Sequence, residues 1–512
     1  MKALRYLPLL LLAACGDNTA PPGASSSSSG GASSSSGSTP ADGGADVVPT
    51  GSIVLAVADA TVIQGGAVDL TLQLTRGSAI TGAVKVTFGT LPAGLGLPVG
   101  NFEFKPGETT LKVQLSAGID GKQGDAKLSA TAVTLDGLAS AKKDFTVLVR
   151  GAPGTVDKTF GTDGIATLSS LGAGYVAKVE VDSKDRVVVA GTRDQGGTPG
   201  VFVVRLQGDG AIEPTFGVKT APAGQQIVGA LTTAPDDTVY VAAGPLGPNN
   251  NLSLFESGAA ADLIQKFATI GEAPTELRAD ATKVHVASGF YFASGVNVRV
   301  RWRALDVDRA AGSSAGVSPA FVLARGPSTL LPDGSAVVGF STAASATPMD
   351  LSVKRYLAGA ETNAFSEPAT MAEALALTPQ GTGKVLVLGA LTNGAADRRI
   401  IQLNATTLVR NTTFGGTGIA QIAAGGGADV MAVDATERIV TLGIASGARE
   451  VRRFTPAGLP DTTFGSAGLR TLPGFAEGGV ALTVQKNGRV VVGGQFLDGT
   501  GTAVPGVMRL WD

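Results

Sequence analysis

Two stretches decide how this chain folds: Thr159-Phe160-Gly161-Thr162-Asp163-Gly164 and Asp182-Ser183-Lys184-Asp185-Arg186-Val187-Val188-Val189-Ala190-Gly191. Both come back. Thr-Phe-Gly recurs at Thr215-Phe216-Gly217, Thr413-Phe414-Gly415 and Thr463-Phe464-Gly465. From Gly161 to Gly465 is 304 residues (465 − 161), or six periods of about 50. The β-branched run ending in a small residue recurs independently. After Val187–Gly191 it returns at Val239 to Gly244, Val284 to Ser288, Ala336 to Gly339, Val385 to Gly389, Ile439 to Gly443 and Val490 to Gly493, which makes seven copies. A third marker is an alternating strand that ends in Arg-Leu or a variant. It gives Val203-Val204-Arg205-Leu206, Val353-Lys354-Arg355-Tyr356, Val451-Arg452-Arg453-Phe454 and Val507-Met508-Arg509-Leu510.

Each unit therefore holds about four short strands between Gly- or Asp-rich turns. Such a unit cannot bury both faces of its own sheet, so neighbours must stack. The spacing predicts an all-β chain in which residues 153–512 form a seven-bladed β-propeller of about 50-residue repeats, because closing a ring hides most strand edges. A β-solenoid also stacks repeats, but its units are shorter and its turns more uniform. Asp512 follows the last Arg-Leu pair by two residues, which allows the first and last strands to pair. Strand order stays open at this point.

Composition agrees with this class. Charged residues are 16% of the 512, against about 25% in ordinary soluble domains, and 72 residues are Gly. The net charge of −2 comes with no block of like charge, which argues against a nucleic-acid partner.

Residues 51–150 read as a β-sandwich. Val68-Asp69-Leu70-Thr71-Leu72-Gln73-Leu74 alternates with period two, as a half-buried strand must. Val84, Val86 and Phe88 repeat the pattern, followed by Phe102 and Phe104, then Leu111, Val113 and Leu115, then Phe145, Val147 and Val149. Gly65-Gly66, Pro106-Gly107 and Asp136-Gly137 mark turns between them. The unit resembles the immunoglobulin-like modules of bacterial surface proteins, on strand number and spacing rather than on a Cys…Trp…Cys signature. The resemblance implies a spacer.

Residues 15–50 are rich in Ser, Gly, Pro and Ala, a composition that cannot bury enough apolar surface to offset chain entropy. A coil of that length spans roughly 30–35 Å and serves as a tether. Ahead of it, Lys2 and Arg5 precede the apolar run Leu7 to Leu12, which is far shorter than the about 20 residues a membrane span needs. The segment ends in Leu12-Ala13-Ala14-Cys15, which resembles the lipobox of bacterial lipoproteins. The resemblance implies that residues 1–14 are a signal peptide, that cleavage follows Ala14 and that Cys15 is acylated. Two or more acyl chains suffice for stable anchoring. Cys15 is the only cysteine, so no intrachain disulfide can form. Gly16 follows it, and the acidic residue that retains enteric lipoproteins in the inner membrane is absent there. The expectation is an outer-membrane lipoprotein of the cell envelope and a monomer.

The repeat itself carries a further resemblance. Thr-Phe-Gly-x-x-Gly, then Asp-x-x-x-Arg-Val-Val-Val-Ala-Gly, then Arg-Leu and Asp-Gly are similar to the delta-60 repeat of myxobacterial and related secreted proteins. The full form stands at Phe160 to Gly164, Asp182 to Gly191 and Arg205 to Gly210, and residues 415 to 512 match nearly as well. Copies three and four, about 267 to 365, keep the strands but lack the Thr-Phe-Gly turn. The resemblance implies a propeller-like fold and brings no catalytic residues.

Chemistry is sparse. His285 is the one histidine, inside Val284-His285-Val286, with no second His or usable Cys to complete a metal or catalytic set. Gly312-Ser313-Ser314-Ala315-Gly316 fits a nucleophile elbow, but that hydrolase pattern needs a helix after the serine and a histidine later in the chain. Ser140-Ala141-Lys142-Lys143 and Gly415-Gly416-Thr417-Gly418 fail on context in the same way. The acidic pairs Asp182 with Asp185, Asp236 with Asp237 and Asp306 with Asp308 suit turns better than a calcium loop. The reading is therefore no catalytic residue, no metal and no cofactor. The expected role is binding or scaffolding of a protein or glycan, with a carboxylate-based hydrolase or lyase and a purely structural adhesion component as alternatives.

One stretch is a candidate ligand surface. Val298-Arg299-Val300-Arg301-Trp302-Arg303 places Arg299, Arg301 and Arg303 on one face of a strand and Trp302 on the other. The arginines suit anionic polymers and Trp302 suits cation–π contacts, while the plainer role is a charged strand that blocks edge pairing. With the plainer role, replacing all three arginines by Gln leaves binding to anionic glycans unchanged in a pull-down. Loss of binding identifies a ligand stripe.

Overall fold

The computed structural model describes residues 50–512 except 195, 247–250, 259–260, 295–296, 313, 318–320, 323–325, 343–349, 358–359, 368–372, 391–397, 423–425 and 477–479. For 269, 271–275, 289–294, 297–304, 314–317, 321–322, 341–342 and 350 it describes the backbone alone. Cys15 and Ala14 lie outside the described residues.

Period-two alternation builds the first part. Ile53–Val57 buries Ile53, Leu55 and Val57, and Ala67–Arg76 buries Leu70, Leu72 and Leu74, each with exposed residues between. One sheet has the order Ile53–Val57, Ala67–Arg76, Thr110–Ala117, Leu95–Gly96. The facing sheet runs Ala60–Ile63, Ser140–Arg150, Gly124–Thr134, Val84–Phe88, Phe102–Phe104. Ala60–Ile63 lies parallel to its neighbour, and the other pairings are antiparallel. Leu72, Leu115, Val84, Phe104 and Val147 share one core between the two sheets.

Beyond residue 153, antiparallel meanders follow one another. Gly174–Val181, Val187–Asp194, Pro199–Leu206 and Val218–Thr220 form the first four-stranded sheet. Its second strand opens on the apolar run Val187–Gly191 because both faces are covered there. Val187 and Val189 pack with Val491, Val507 and Ala481 of the last sheet, while Val188 and Ala190 pack with Leu231 and Val241 of the next. The closing Gly has a separate cause. A bulge at Val176/Lys178 presses the first strand against the second, and a Cβ on Gly191 would run into the Tyr175 carbonyl oxygen.

Copies three and four lack the Thr-Phe-Gly turn. Leu263–Ala279 runs on there without interruption. Its first half pairs with Leu252–Ser257 and its second half with Lys283–Ser294, so two meanders share one strand.

The first strands of successive meanders lie side by side around an axis: Gly174–Val181, Ile227–Thr233, the end of Leu263–Ala279, Ser328–Leu330, Glu373–Gln380, Val430–Val433 and Ala481–Val484, which returns to Gly174–Val181. The ring closes without a covalent link. Ile165–Thr167 supplies the outer strand of the last sheet by pairing with Ala503–Leu510, Ile165 opposite Met508.

The Thr-Phe-Gly and Arg-Leu markers turn out to be two halves of one clamp. The buried Arg453 donates from Nε to Asp461 (2.7 Å) and lies 4.6 Å over the ring of Phe464. Asp461 also accepts from the backbone N–H and hydroxyl of Thr463. Arg509 repeats this across the ring closure, bonding Asp157 at 2.7 Å and lying 4.4 Å over Phe160. Arg205 stacks on Phe216 at 4.5 Å, with Glu213 as the acid. In the copy at Phe414 both partners change together: Gln402 stands for the arginine and Asn411 for the acid, joined by an amide hydrogen bond of 2.6 Å.

Trp511 ties the ring to the sandwich, donating to Gln123 (2.9 Å) beneath the guanidinium of Arg489. Removing one partner of a buried pair strands the other. Arg453→Gln is expected to cost about 3–5 kcal/mol in urea unfolding. Adding Asp461→Asn rebuilds the amide pair found at Gln402–Asn411 and recovers more than half of that loss.

Candidate functional site

The inner strands enclose a channel cavity of about 440 Å³. Among its described lining residues the charged ones are Lys178, Glu180 and Glu276. Pairing registers place them in two layers. Lys178 and Glu276 sit opposite Ala190 and Ala287, which hold equivalent places in the repeated runs that begin at Val187 and Val284. The same position in other copies is Ala230, Pro327, Ala376, Val430 or Ala481. Glu180 lies one layer on, level with Arg278 and with Thr232, Thr329, Thr378, Ala432 and Thr483. Arg278 turns to the carbonyl of Leu331 at 2.8 Å.

Both carboxylates line the lumen and are half-buried there, while Lys178 is exposed. Burial pushes Glu180 up to about 7, against a smaller opposing pull from the Val181 backbone and Lys178. Burial pushes Glu276 up to about 8; Lys178 opposes this and Glu180 adds to it. No ion pair within 4 Å joins Lys178 to either carboxylate among the described residues. The three groups influence one another at longer range without closing a salt bridge.

Other ionisable groups are engaged in holding the ring. Asp182 accepts from the backbone of Lys184 and Arg186 and from the Arg186 guanidinium, which reaches on to Glu213 and to Asp237 of the next sheet. Burial disfavours charge on Asp237, but bonds from Ser183 and Lys184 outweigh it and hold its carboxyl down at about 2. Asp185 and Asp237 take the left-handed backbone position of their turns, φ 65° and 66°, a place Gly334 and Gly488 fill elsewhere. Asp236 binds Arg309, which also bonds Tyr240, and Asp308 accepts from the backbone of Ala310 and Ala311. His285 bridges Asp306 (2.7 Å) and Asp280 (3.0 Å). Among the described residues no cluster of three His, Cys, Asp or Glu could hold a metal ion, and no helix is long and apolar enough to cross a membrane.

Of the residues singled out in the sequence, Arg299, Arg301, Trp302 and Arg303 lie on Asn297–Asp308. Arg301 is opposite Phe290 on one side and Phe321 on the other, so this stretch is paired along both edges there. Their side chains lie outside the described residues. Ser313 of the elbow-like motif is also outside them, and Ser140–Lys143 forms part of a sandwich strand. A larger groove of about 610 Å³ lies on the sandwich, but its Asp144 and the neighbouring Lys142 pair in open solvent.

Residues 185–216 match the model of a family described as a domain of unknown function, DUF5122, beta-propeller. This is a propeller-type repeat protein. The matched residues span the second and third strands of the first sheet and the Thr215-Phe216 turn, the elements that carry the Arg205 clamp. No curated protein matches the chain. A solved structure titled "Solution structure of CaCohA2 from Clostridium acetobutylicum" is similar over 20% of this chain and 92% of its own, at 11% identity and a TM-score of 0.14.

The raised carboxylates make the propeller's stability depend on pH. Each group has a folded value above its unfolded one near 4.5, so the folded state holds the proton more tightly. Their contribution is complete below about pH 4.5 and fades as pH rises through about 8. Glu276→Gln should flatten this decline, giving a higher urea midpoint than the parent at pH 9 and little change at pH 5.

Proposed function

We propose that this chain is an exported lipoprotein, held at the cell envelope through acyl chains on Cys15, whose head binds or scaffolds a partner without catalysing a reaction. The head is read as a seven-bladed propeller carried on an immunoglobulin-like spacer and a flexible tether. Supporting this are the closed ring of inner strands, the delta-60-like repeat and the lipobox-like Leu12-Ala13-Ala14-Cys15.

The observation that carries the non-catalytic reading is the direction in which the channel carboxylates are shifted. Acid–base catalysis by two carboxyl groups needs environments that drive them apart, one protonated and one ionised. Glu180 and Glu276 are instead driven the same way by the same cause, burial. Outside the channel, Asp157, Asp182, Asp237 and Asp461 are tied to arginines that hold sheets together. An enzyme remains the second reading, because a carboxyl near 7 in a cavity is suited to general-acid work.

Two measurements test the proposal. Cys15→Ser should appear in the soluble fraction with its circular dichroism unchanged, whereas retention in the membrane fraction contradicts the anchor. The full chain, immobilised and challenged with detergent-solubilised envelope, should retain a defined protein or glycan. Turnover of an envelope glycan that Glu180→Gln abolishes would overturn the non-catalytic reading.

A further inference from the structure

We propose that the open edge of Ile53–Val57 is where two copies of this chain pair, antiparallel and about a two-fold axis, so that two sandwich sheets join into one. The pairing goes beyond the binding reading above and draws on the lipid anchor only for the crowding of copies at a membrane.

The hydrogen-bond register shows which backbone groups are open. Ile53–Val57 is the outermost strand of its sheet, and among the described residues Ala67–Arg76 is the strand it pairs with. The Ser52 carbonyl accepts from the Gly77 N–H, so Ser52, Val54 and Ala56 turn their backbone groups toward that neighbour. Ile53, Leu55 and Val57 therefore aim their N–H and C=O groups the other way, along an edge that no described strand takes up. Their side chains lie in the sandwich core.

Edges of this kind are normally blunted by charge, by proline or by brevity. Other outer strands of this molecule follow that rule. Phe102–Phe104 carries Glu103, Ala360–Glu367 carries Glu361 and Leu469–Leu472 carries Arg470, while Leu95–Gly96 and Ala420–Gln421 are two residues each. Ala60–Ile63 is fronted by Asp59, whose carboxylate accepts from the Thr146 N–H at 2.6 Å. Ile53-Val54-Leu55-Ala56-Val57 has none of these devices. It is apolar throughout and leaves Val54 49% exposed on the outer face.

The same edge selects its partner. Antiparallel pairing about a two-fold axis through Leu55 sets Leu55 against Leu55 of the second copy and Ile53 against Val57 of the second copy, each as a hydrogen-bonded pair. That register engages every open residue of both strands. Val54 then stands beside Ala56 of the second copy and covers apolar surface that one chain leaves wet. No charged residue lies within Ser52–Ala58 to oppose its own copy. The strand directly follows the Ser/Gly-rich stretch 15–50, so copies tethered to one membrane present identical edges at raised local concentration. A monomer is the plainer expectation from the sequence, and this edge argues against it.

Disulfide mapping on the full chain tests the pairing. In a Cys15→Ser background, Val54→Cys with Ala56→Cys sets thiols of two copies opposite each other at positions that are not hydrogen-bonded, within disulfide range. Both side chains are exposed, so the fold tolerates the changes. Mild oxidation of concentrated protein should give a covalent dimer on a non-reducing gel, with about tenfold less from either single variant. Val54→Glu with Ala56→Glu should weaken self-association about tenfold in sedimentation, as should Val54→Lys with Ala56→Lys, and an equimolar mixture of the two should associate again. Recovery in the mixture is a result that damage to the fold would not give. A chain that stays monomeric with and without its anchor, single variants that cross-link as well as the double, or a mixture that stays apart each overturns the pairing. Oxidation in cells that joins the double variant to a different protein in place of its own copy overturns it as well. If Cys15→Ser protein stays in the membrane fraction yet still cross-links, the anchor falls and the pairing stands.

Discussion

The guanidinium that lies over a phenylalanine and pairs with the acid three residues before it is the contact on which the ring depends. It joins the third strand of one sheet to the turn that launches the next segment of chain, and at Arg509 it joins the last sheet to the first turn. Cation–π stacking, a charge-assisted hydrogen bond and exclusion of water act at one place there. A noncovalent ring has no other way to hold its two ends than side chains and a short strand pair. Here the strand pair is three residues, Ile165–Thr167. The clamp beside it, with Asp157 also within 3.3 Å of Arg489, makes the closure more than that short pairing.

Several elements were legible in the sequence because each has a local physical cause. The second strands read as largely apolar runs because both faces are covered, and in the first sheet the closing Gly191 follows from the close approach of Tyr175 on the first strand. The missing Thr-Phe-Gly turn near residue 267 marked the place where one strand serves two meanders. The sandwich strand Gly124–Thr134 gave a weaker signal: its inward residues are Leu128, Ala130 and Ala132, and small side chains alternate with Ser and Thr without contrast. That Arg-Leu and Thr-Phe-Gly form one clamp was not readable from either alone. The joint change to Gln402 and Asn411 was the available clue.

The channel trio was missed for a different reason. Lys178 and Glu180 sit in a strand whose alternation also fits an ordinary solvent-facing edge, and Glu276 is nearly a hundred residues away. Only the ring brings them to one lumen. Aligning the copies would have exposed them, since Lys178 and Glu276 fall where other copies carry Ala, Pro or Val. His285, by contrast, was read as a residue on the face of a strand. Its two aspartate partners come from the turn before it and from the strand beside it, neither of which its local sequence reveals.

Fold and site thus share one premise, a ring closed between residue 165 and residue 508, without which the channel walls do not meet. Ile165 and Met508 are opposite each other at a position that is not hydrogen-bonded, where Cα atoms lie about 4.5 Å apart, within disulfide range. In a Cys15→Ser background, Ile165→Cys with Met508→Cys should form an intramolecular disulfide under mild oxidation. The monomer would then migrate faster on a non-reducing gel, and reduction would reverse the shift. A free dithiol, or disulfides only between molecules, would contradict ring closure and with it the channel.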